Sequence, residues 1–445
     1  MKFEDLPSDI VDRILMSIPD FTTLSAALLT SKAHVYNVYQ AHPKSVFHAV
    51  AYNITGPAIR QALCVAKMAE EAEALYDEES DDSDEQATVI VELLSDDEQV
   101  IEKLLSDKNV TSVLRKNAKI VNKLEDLFSR RNKDRTSTKT ALTEAESKRF
   151  HRGIYRLWAL VLFQEHNYGD TLEEKITDYL ENLSLSEILE IDRVRDFFDD
   201  TRLWLNLACH DSPTEPSQFI PCPNGLLSAI EELDIIRFIE EYSINPPQKV
   251  FNSLSKTLIT RHQLDDKKRA EQRAKAIIDN VEGPNDICHR CNAVKGLQLW
   301  GPTNWDLLRG HLELKNVFLG YLRTNPIERA AFRQYVFDNY HPLRGVGHQF
   351  SDFIEQCFDT DAENTENWDK TKWHCLDCVH IFLKQRAWKW WYQQKQEQPG
   401  YQAVDDCWYG YNCRTQTHKW AHAQKLNHLC VPTRGDPHPD EQAAA

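Results

Sequence analysis

Between Cys407 and Cys430 the chain gathers three cysteines and three histidines into a stretch with little else to build a core. A thiolate is a soft ligand for zinc and a neutral imidazole a borderline one, and four such groups close a tetrahedral site. Cys407 and Cys413 are separated by five residues that include Gly410, so a tight loop can bring both sulfurs to one ion. The histidines are less constrained. His418 and His422 are four apart and would share a helix face, whereas His422 and His428 need a turn or helix break between them. Spacing alone leaves both pairings open.

The ligand order is Cys-x5-Cys, a short spacer, then His-x5-His. Tyr409-Gly410 lies inside the first loop, and Cys413-Arg-Thr-Gln416 leads on to Lys425-Leu-Asn-His428. This segment, 399–435, resembles the poly(ADP-ribose)-binding zinc finger. The resemblance implies Cys407, Cys413, His422 and His428 as zinc ligands. It also implies Tyr409 and Arg414 against an adenine, with Gln416 or Lys425 near ribose and phosphate. The competing reading is a structural knuckle in which Trp408, Tyr409 and Tyr411 only shield the metal. Local charge favours ligand binding: Cys407 to Gly435 contains no acid but carries Arg414, Lys419, Lys425 and Arg434. A basic patch attracts a polyanion, and an aromatic face beside a guanidinium stacks a base.

The rest of the chain is acidic, with 69 acids against 52 bases and a net charge of -17. General DNA binding is therefore not expected, and any polyanion contact must be local. No apolar run is long enough for a transmembrane helix, and the N-terminus lacks an apolar signal core, so no membrane association is expected. Eleven cysteines, several in Cys-x-x-Cys pairs, read as reduced thiols and metal ligands of a nuclear or cytoplasmic protein.

At the N-terminus, Leu6-Pro7 opens a helix on which Ile10, Val11, Ile14, Leu15 and Ile18 recur as an apolar stripe until Pro19 stops it. Asp20 is placed to cap a second helix through Leu24 and Leu28, and a third follows Ser31 with Val35, Val38 and Tyr39 on one face. Three short helices bury little surface alone, so they are either the edge of a larger domain or a partner-binding module. The opening Leu6-Pro7-x-Asp9-Ile10-Val11-x-x-Ile14-Leu15-x-x-Ile18-Pro19 resembles an F-box over 1–45. That resemblance implies docking on the adaptor subunit of a cullin-based (SCF-type) ubiquitin ligase complex, through Leu6, Pro7, Ile10, Val11, Ile14 and Leu15.

The segment 46–146 reads as helical, with an acidic disordered insertion at about 72–99 and a polar, solvated linker from Ser129 to Thr143. A helical domain follows over 147–280, with stripes at Phe150, Ile154, Leu157, Trp158 and Val161 and at Ile176, Tyr179, Leu180 and Leu183. Helix is expected from Leu226 to Tyr242 and from Phe251 to Asn280, the latter heavily charged in its second half and so exposed on one side. Over 281–398, Cys288-His-Arg-Cys291 and Cys375-Leu-Asp-Cys378 suggest one shared four-cysteine zinc site. The rivals are a redox dithiol and two half-sites completed by His289, His374 or His380. Trp305–Tyr321 and Pro326–Asn339 read as a helical insertion between the pairs, and Trp388, Trp390 and Trp391 as helix packing. The tail 436–445 is expected to be disordered.

The chain thus reads as mostly α: an N-terminal three-helix F-box, a helical central domain and a small zinc-stabilised C-terminal module. No nucleophile elbow, phosphate loop or kinase motif is present, so no catalysis is expected. The implied function is substrate recognition in an SCF-type ubiquitin ligase recruited to poly(ADP-ribose) or ADP-ribosylated proteins. The alternative is a zinc-containing helical scaffold without a ubiquitin link.

Overall fold

The computed structural model describes residues 6–75, 104–105, 107–166, 172–210, 223–233, 248–340, 349–360 and 368–435. Most of these residues are helical, and no described helix is long and apolar enough to cross a membrane. Most of the acidic stretch, the proline-rich loop 211–222, residues 234–242 of the helix expected from Leu226, and the tail 436–445 lie outside the described residues.

The N-terminal unit is built from α1 (Ser8–Met16), α2 (Phe21–Thr30), α3 (Asn37–Ala41) and α4 (Pro43–Thr55). The Asp20 carboxylate caps α2, accepting the amides of Thr22 and Thr23 at 2.8 and 3.0 Å. The three helices do not close a core by themselves. Val46, Val50 and Ile54 of α4 supply the missing wall against Val11, Leu15, Ile18, Leu24 and Val35. The expected single stripe on α1 splits in two. Val11 and Leu15 are buried, Ile10 is half-buried, and Ile14 is 41% exposed. At 3.6 residues per turn, 11, 15 and 18 follow one line while 14 sits about 100° away from 15. Of the six residues assigned to adaptor docking, Val11 and Leu15 therefore hold this unit together, leaving Leu6, Pro7, Ile10 and Ile14 at or near the surface.

The central domain comprises α5 (Ile59–Leu75), α6 (Lys108–Asn132), α7 (Glu144–His166), α8 (Leu172–Glu181), α9 (Leu185–His210), α10 (Pro223–Glu232), α11 (Gln248–Thr260) and α12 (Asp266–Ala274). Phe128, Phe150, Ile154, Leu157, Trp158, Val161 and Phe197 share its core. Gly153 lets α7 approach α9 closely: a Cβ there would lie 2.9 Å from the Glu190 carbonyl oxygen.

One expectation holds only in part, for electrostatic reasons. The stretch from Ser129 to Thr143 is a solvated loop only in its later part. Residues 129–132 complete α6, and Lys133 and Arg135 are buried. Arg130 pairs with Asp306, Lys133 with Glu146 and Arg135 with Asp286, so these bases tie α6 to α7 and to the region beyond residue 281. The expected Phe251–Asn280 helix is broken in two, and its charged half is exposed on one side as expected, with Arg269 as the buried exception. Helix α11 stops at Thr260, Gln263 takes a positive φ of 53°, and α12 begins behind Asp265. Arg269 of α12 is buried against the fully buried Asp192, donating its Nε at 2.9 Å.

The Lys133–Glu146 pair allows a prediction. Removing one partner of a buried pair leaves an uncompensated charge, so Lys133→Met should cost about 3–5 kcal/mol in a denaturant titration. Burial alone would raise the Glu146 pKa, but hydrogen bonds from Lys133 and from the amides of Thr143 and Asp279 outweigh it and hold it at about 2, against an ordinary 4.5. The folded carboxyl is thus the stronger acid. Its stabilisation is complete above about 4.5 and is lost as pH falls towards about 2. Lys133→Met should flatten that acid limb.

Beyond residue 281 lies a platform that carries the C-terminal segment. Strand β1 (Leu299–Trp300) pairs antiparallel with β2 (His374–Cys375), with Leu299 opposite Cys375. The helical insertion expected over Trp305–Tyr321 consists of short 3-10 turns, whereas α13 (Pro326–Asn339) matches its expected span, capped by Asn325. Helices α14 (Phe350–Asp359) and α15 (Leu376–Glu397) complete the platform; Trp388, Trp390 and Trp391 of α15 are buried, with Trp390 and Trp391 against Phe332 and Trp390 also against Phe353. Tyr411 and Leu429 of the C-terminal segment belong to the same core.

Candidate metal centres

The two Cys-x-x-Cys pairs meet. Ile287 bridges Val294 across a turn in which Asn292 has a positive φ of 55° and donates its amide to the Cys288 carbonyl at 2.9 Å. That turn brings Cys291 back beside Cys288. On the other side, β2 ends at Cys375 and α15 starts at Leu376, so Cys378 lies in the first helical turn. The β1–β2 ladder holds the halves in register, and the sulfurs of Cys288, Cys291, Cys375 and Cys378 all lie within 4.8 Å of one another. His289, His374 and His380 are not part of this set. The buried His374 is instead turned towards the Asp369 carbonyl, 3.0 Å from its Nε2.

Electrostatics fit this set to a cation. Burial pushes the Cys288 thiol up, but amides of Cys291, Cys375 and Arg290 outweigh burial and bring it down to about 7. The Cys375 amide donates directly to the Cys288 sulfur at 3.2 Å. Cys375 and Cys378 are both raised, first by burial and then, for Cys378, by the neighbouring sulfurs. Several thiolates in one small space repel unless a cation shares them.

The C-terminal set is built around Asn427. Its amide donates to the Asp405 carbonyl, its carbonyl accepts the Cys407 amide at 2.8 Å, and its side chain donates to Asp406 at 2.6 Å. The residue before the first cysteine is thereby fastened beside the residue before His428. Turns at Gly410–Asn412 and Arg414–Thr417 lead to α16 (Trp420–Lys425), which carries His422. Donor atoms of Cys407, Cys413, His422 and His428 lie within 4.8 Å of one another. His418 is exposed and outside the set, resolving the choice that spacing left open. Cys430 is also outside it. Its thiol lies 3.5 Å from the Asn427 carbonyl, and burial raises its pKa to about 12.

Ligand spacing supplies a test of fit. A tetrahedral ion with bonds of about 2.0–2.3 Å separates its ligands by about 3.3–3.8 Å. Cys291 and Cys375 sulfurs are 3.7 Å apart, and His422 Nε2 stands 3.3 Å from the Cys413 sulfur and 3.8 Å from that of Cys407. His428 is fully buried, yet neither ring nitrogen has a hydrogen-bond partner. Such a group is costly unless something else binds it. Burial, followed by the His422 charge, lowers its pKa to about 4, which keeps the imidazole in its ligating form. Both clusters could hold a metal ion.

Around the second cluster, Tyr409 is 46% exposed, and Arg414 and Lys425 are exposed. Gln416 departs from expectation. It is fully buried, accepting from Asn325 Nδ2 at 2.9 Å and donating to the Tyr411 carbonyl at 3.2 Å, so it cannot reach ribose or phosphate. Nor do all three loop aromatics shield the cluster. Tyr411 packs inward on Trp388 at 5.3 Å, whereas Trp408 is 59% exposed with the Arg434 guanidinium 3.7 Å above its ring. Sequence reading had counted Arg434 only as a local charge. The chain matches no known family model, no curated protein and no solved structure.

Proposed function

We propose that this chain is a non-catalytic receptor subunit of an SCF-type ubiquitin ligase, recruited by poly(ADP-ribose) or ADP-ribosylated proteins through a C-terminal zinc finger. The observation that carries the reading is the pairing of exposed Tyr409 and Arg414 with a four-ligand cluster that ties down the Cys407–Cys413 loop between them. A loop held by a metal loses little entropy on binding, so a small aromatic and cationic surface can bind usefully. Zinc is the ion assigned to both clusters, because four-cysteine and two-cysteine, two-histidine tetrahedra are its ordinary structural sets. On a chain of net charge -17, the acid-free segment from Cys407 to Gly435 is where a polyanion would approach. Reduced thiol ligands suit the nucleus or cytoplasm.

The ligase half of the reading rests on the α1 sequence, with Leu6, Pro7, Ile10 and Ile14 as the docking residues. Ile14→Asp is expected to abolish co-purification with the SCF adaptor while leaving the melting temperature unchanged, because that side chain is outside the core. Wild-type chain that does not associate with the adaptor would remove the ligase half. Titration of the full chain with poly(ADP-ribose) at stated salt tests the other half. Saturable binding that weakens as salt rises is expected. No binding at low salt defeats it. The second reading, a zinc-containing helical scaffold unrelated to ubiquitin, is favoured by one observation: Val11 and Leu15 serve the interior of their own unit, as in any packed helix.

A further inference from the structure

Arg414 does not stand on the finger alone. Its guanidinium carbon lies 5.7 Å from the ring centroid of Tyr321, which belongs to the platform turn Gly320–Thr324 and not to 399–435. That separation is within cation–π range. We infer that Tyr321 is a positioning residue for Arg414, so that the polymer-binding surface is composite, drawn from both finger and platform. The inference rests on the poly(ADP-ribose) reading above and extends its site beyond the finger.

Three features hold the two turns in fixed register. Gly320 has a positive φ of 57°, and a Cβ there would lie 2.5 Å from Asn412 Oδ1 and 2.9 Å from the Tyr411 carbonyl oxygen. Only glycine permits both this backbone conformation and this approach. Asn325, fully buried at the end of the same platform turn, donates to buried Gln416, one turn from Arg414. The same Asn325 caps α13 through the amides of Ile327 and Glu328. The platform helix, the Gly320–Thr324 turn and the Arg414–Thr417 turn are thus connected through buried side-chain hydrogen bonds, which fix relative position more tightly than exposed contacts do.

The chemistry follows from the guanidinium. An exposed arginine samples many rotamers, and holding it for a ligand costs side-chain entropy. A ring beneath the guanidinium restricts that search and leaves the other face and the N–H edge for a purine or a diphosphate. A ligand combining adenine with diphosphate, as each ADP-ribose unit does, uses both.

The test is fluorescence titration of the full chain with poly(ADP-ribose), with zinc content and melting temperature measured on each variant. Tyr321→Leu should weaken binding about tenfold, the equivalent of about 1.4 kcal/mol. Tyr321→Phe, which keeps the ring, should bind within about twofold of wild type. Arg414→Ala should weaken binding at least as much as Tyr321→Leu, and the double variant should be no weaker than Arg414→Ala alone, because the ring acts through the guanidinium. Unchanged binding by Tyr321→Leu beside a weakened Arg414→Ala overturns the inference and spares the poly(ADP-ribose) reading. So do additive losses, or loss of zinc or stability in Tyr321→Leu, since the ring would then act independently or simply hold the fold. A wild-type chain that fails to bind overturns both.

Discussion

A Cys288→Ser chain is expected to lose both zinc ions, where the wild-type chain should hold two. Cys288 is fully buried and receives the Cys375 amide, so its sulfur joins the two knuckles directly. Structural zinc contributes about 10–16 kcal/mol of apparent binding energy in small folded modules, far more than any single contact nearby. Without it, the two halves keep the two-residue ladder and the packing of Leu299 and Trp300, but their buried thiols lose the group that shares them. The damage should spread, because Tyr411 and Leu429 of the finger sit in the platform core with Trp388 and Trp391. Elemental analysis after dialysis reads the outcome. A variant that keeps one tightly bound ion would show that the finger folds independently of the platform.

His428→Ala is expected to act in one direction only: zinc content falls from two ions to one, and the four-cysteine site survives. The imidazole is fully buried with unpartnered ring nitrogens, and alanine removes one of four ligands without offering a substitute. His418 is exposed and hydrogen-bonded to Thr417, so it is not positioned to replace it. The knuckles and the ladder involve no residue beyond Cys378, which is why they should persist. Poly(ADP-ribose) binding should be lost with the ion, and a cobalt-substituted sample should show one thiolate-rich site in place of two. Retention of both ions would remove His428 from the ligand set. The isolated segment 399–435 is a poor substitute for the full chain in either experiment, because it lacks the platform core.

These outcomes bear on how far the chain could be read unaided. Local features were legible because their physics is local. Asp20 caps the helix that follows it, Pro326–Asn339 is a helix with the expected bounds, and the tryptophans of α15 pack inward. Misreadings arose where a charged side chain was judged by its type alone. Lys133 and Arg135 looked solvated, yet each has a carboxylate partner, 13 and 151 positions away. Gln416 looked available to a ligand for the same reason, its partner Asn325 being 91 residues away.

Residue identity and short-range spacing determined which atoms were able to bind a metal: thiols three or six positions apart, with imidazoles close behind. Only the tertiary structure decided which of them come together in a cluster that could hold one ion. Cys291 and Cys375 are 84 positions apart, a separation that one-dimensional spacing does not encode, and they meet because a two-strand ladder and a common aromatic core bring distant segments together. It decided His428 over His418 in the same way, by burying one ring among sulfurs and leaving the other in water. Burial is a property of the whole packed chain, and it separates a ligand from a bystander of the same chemical type.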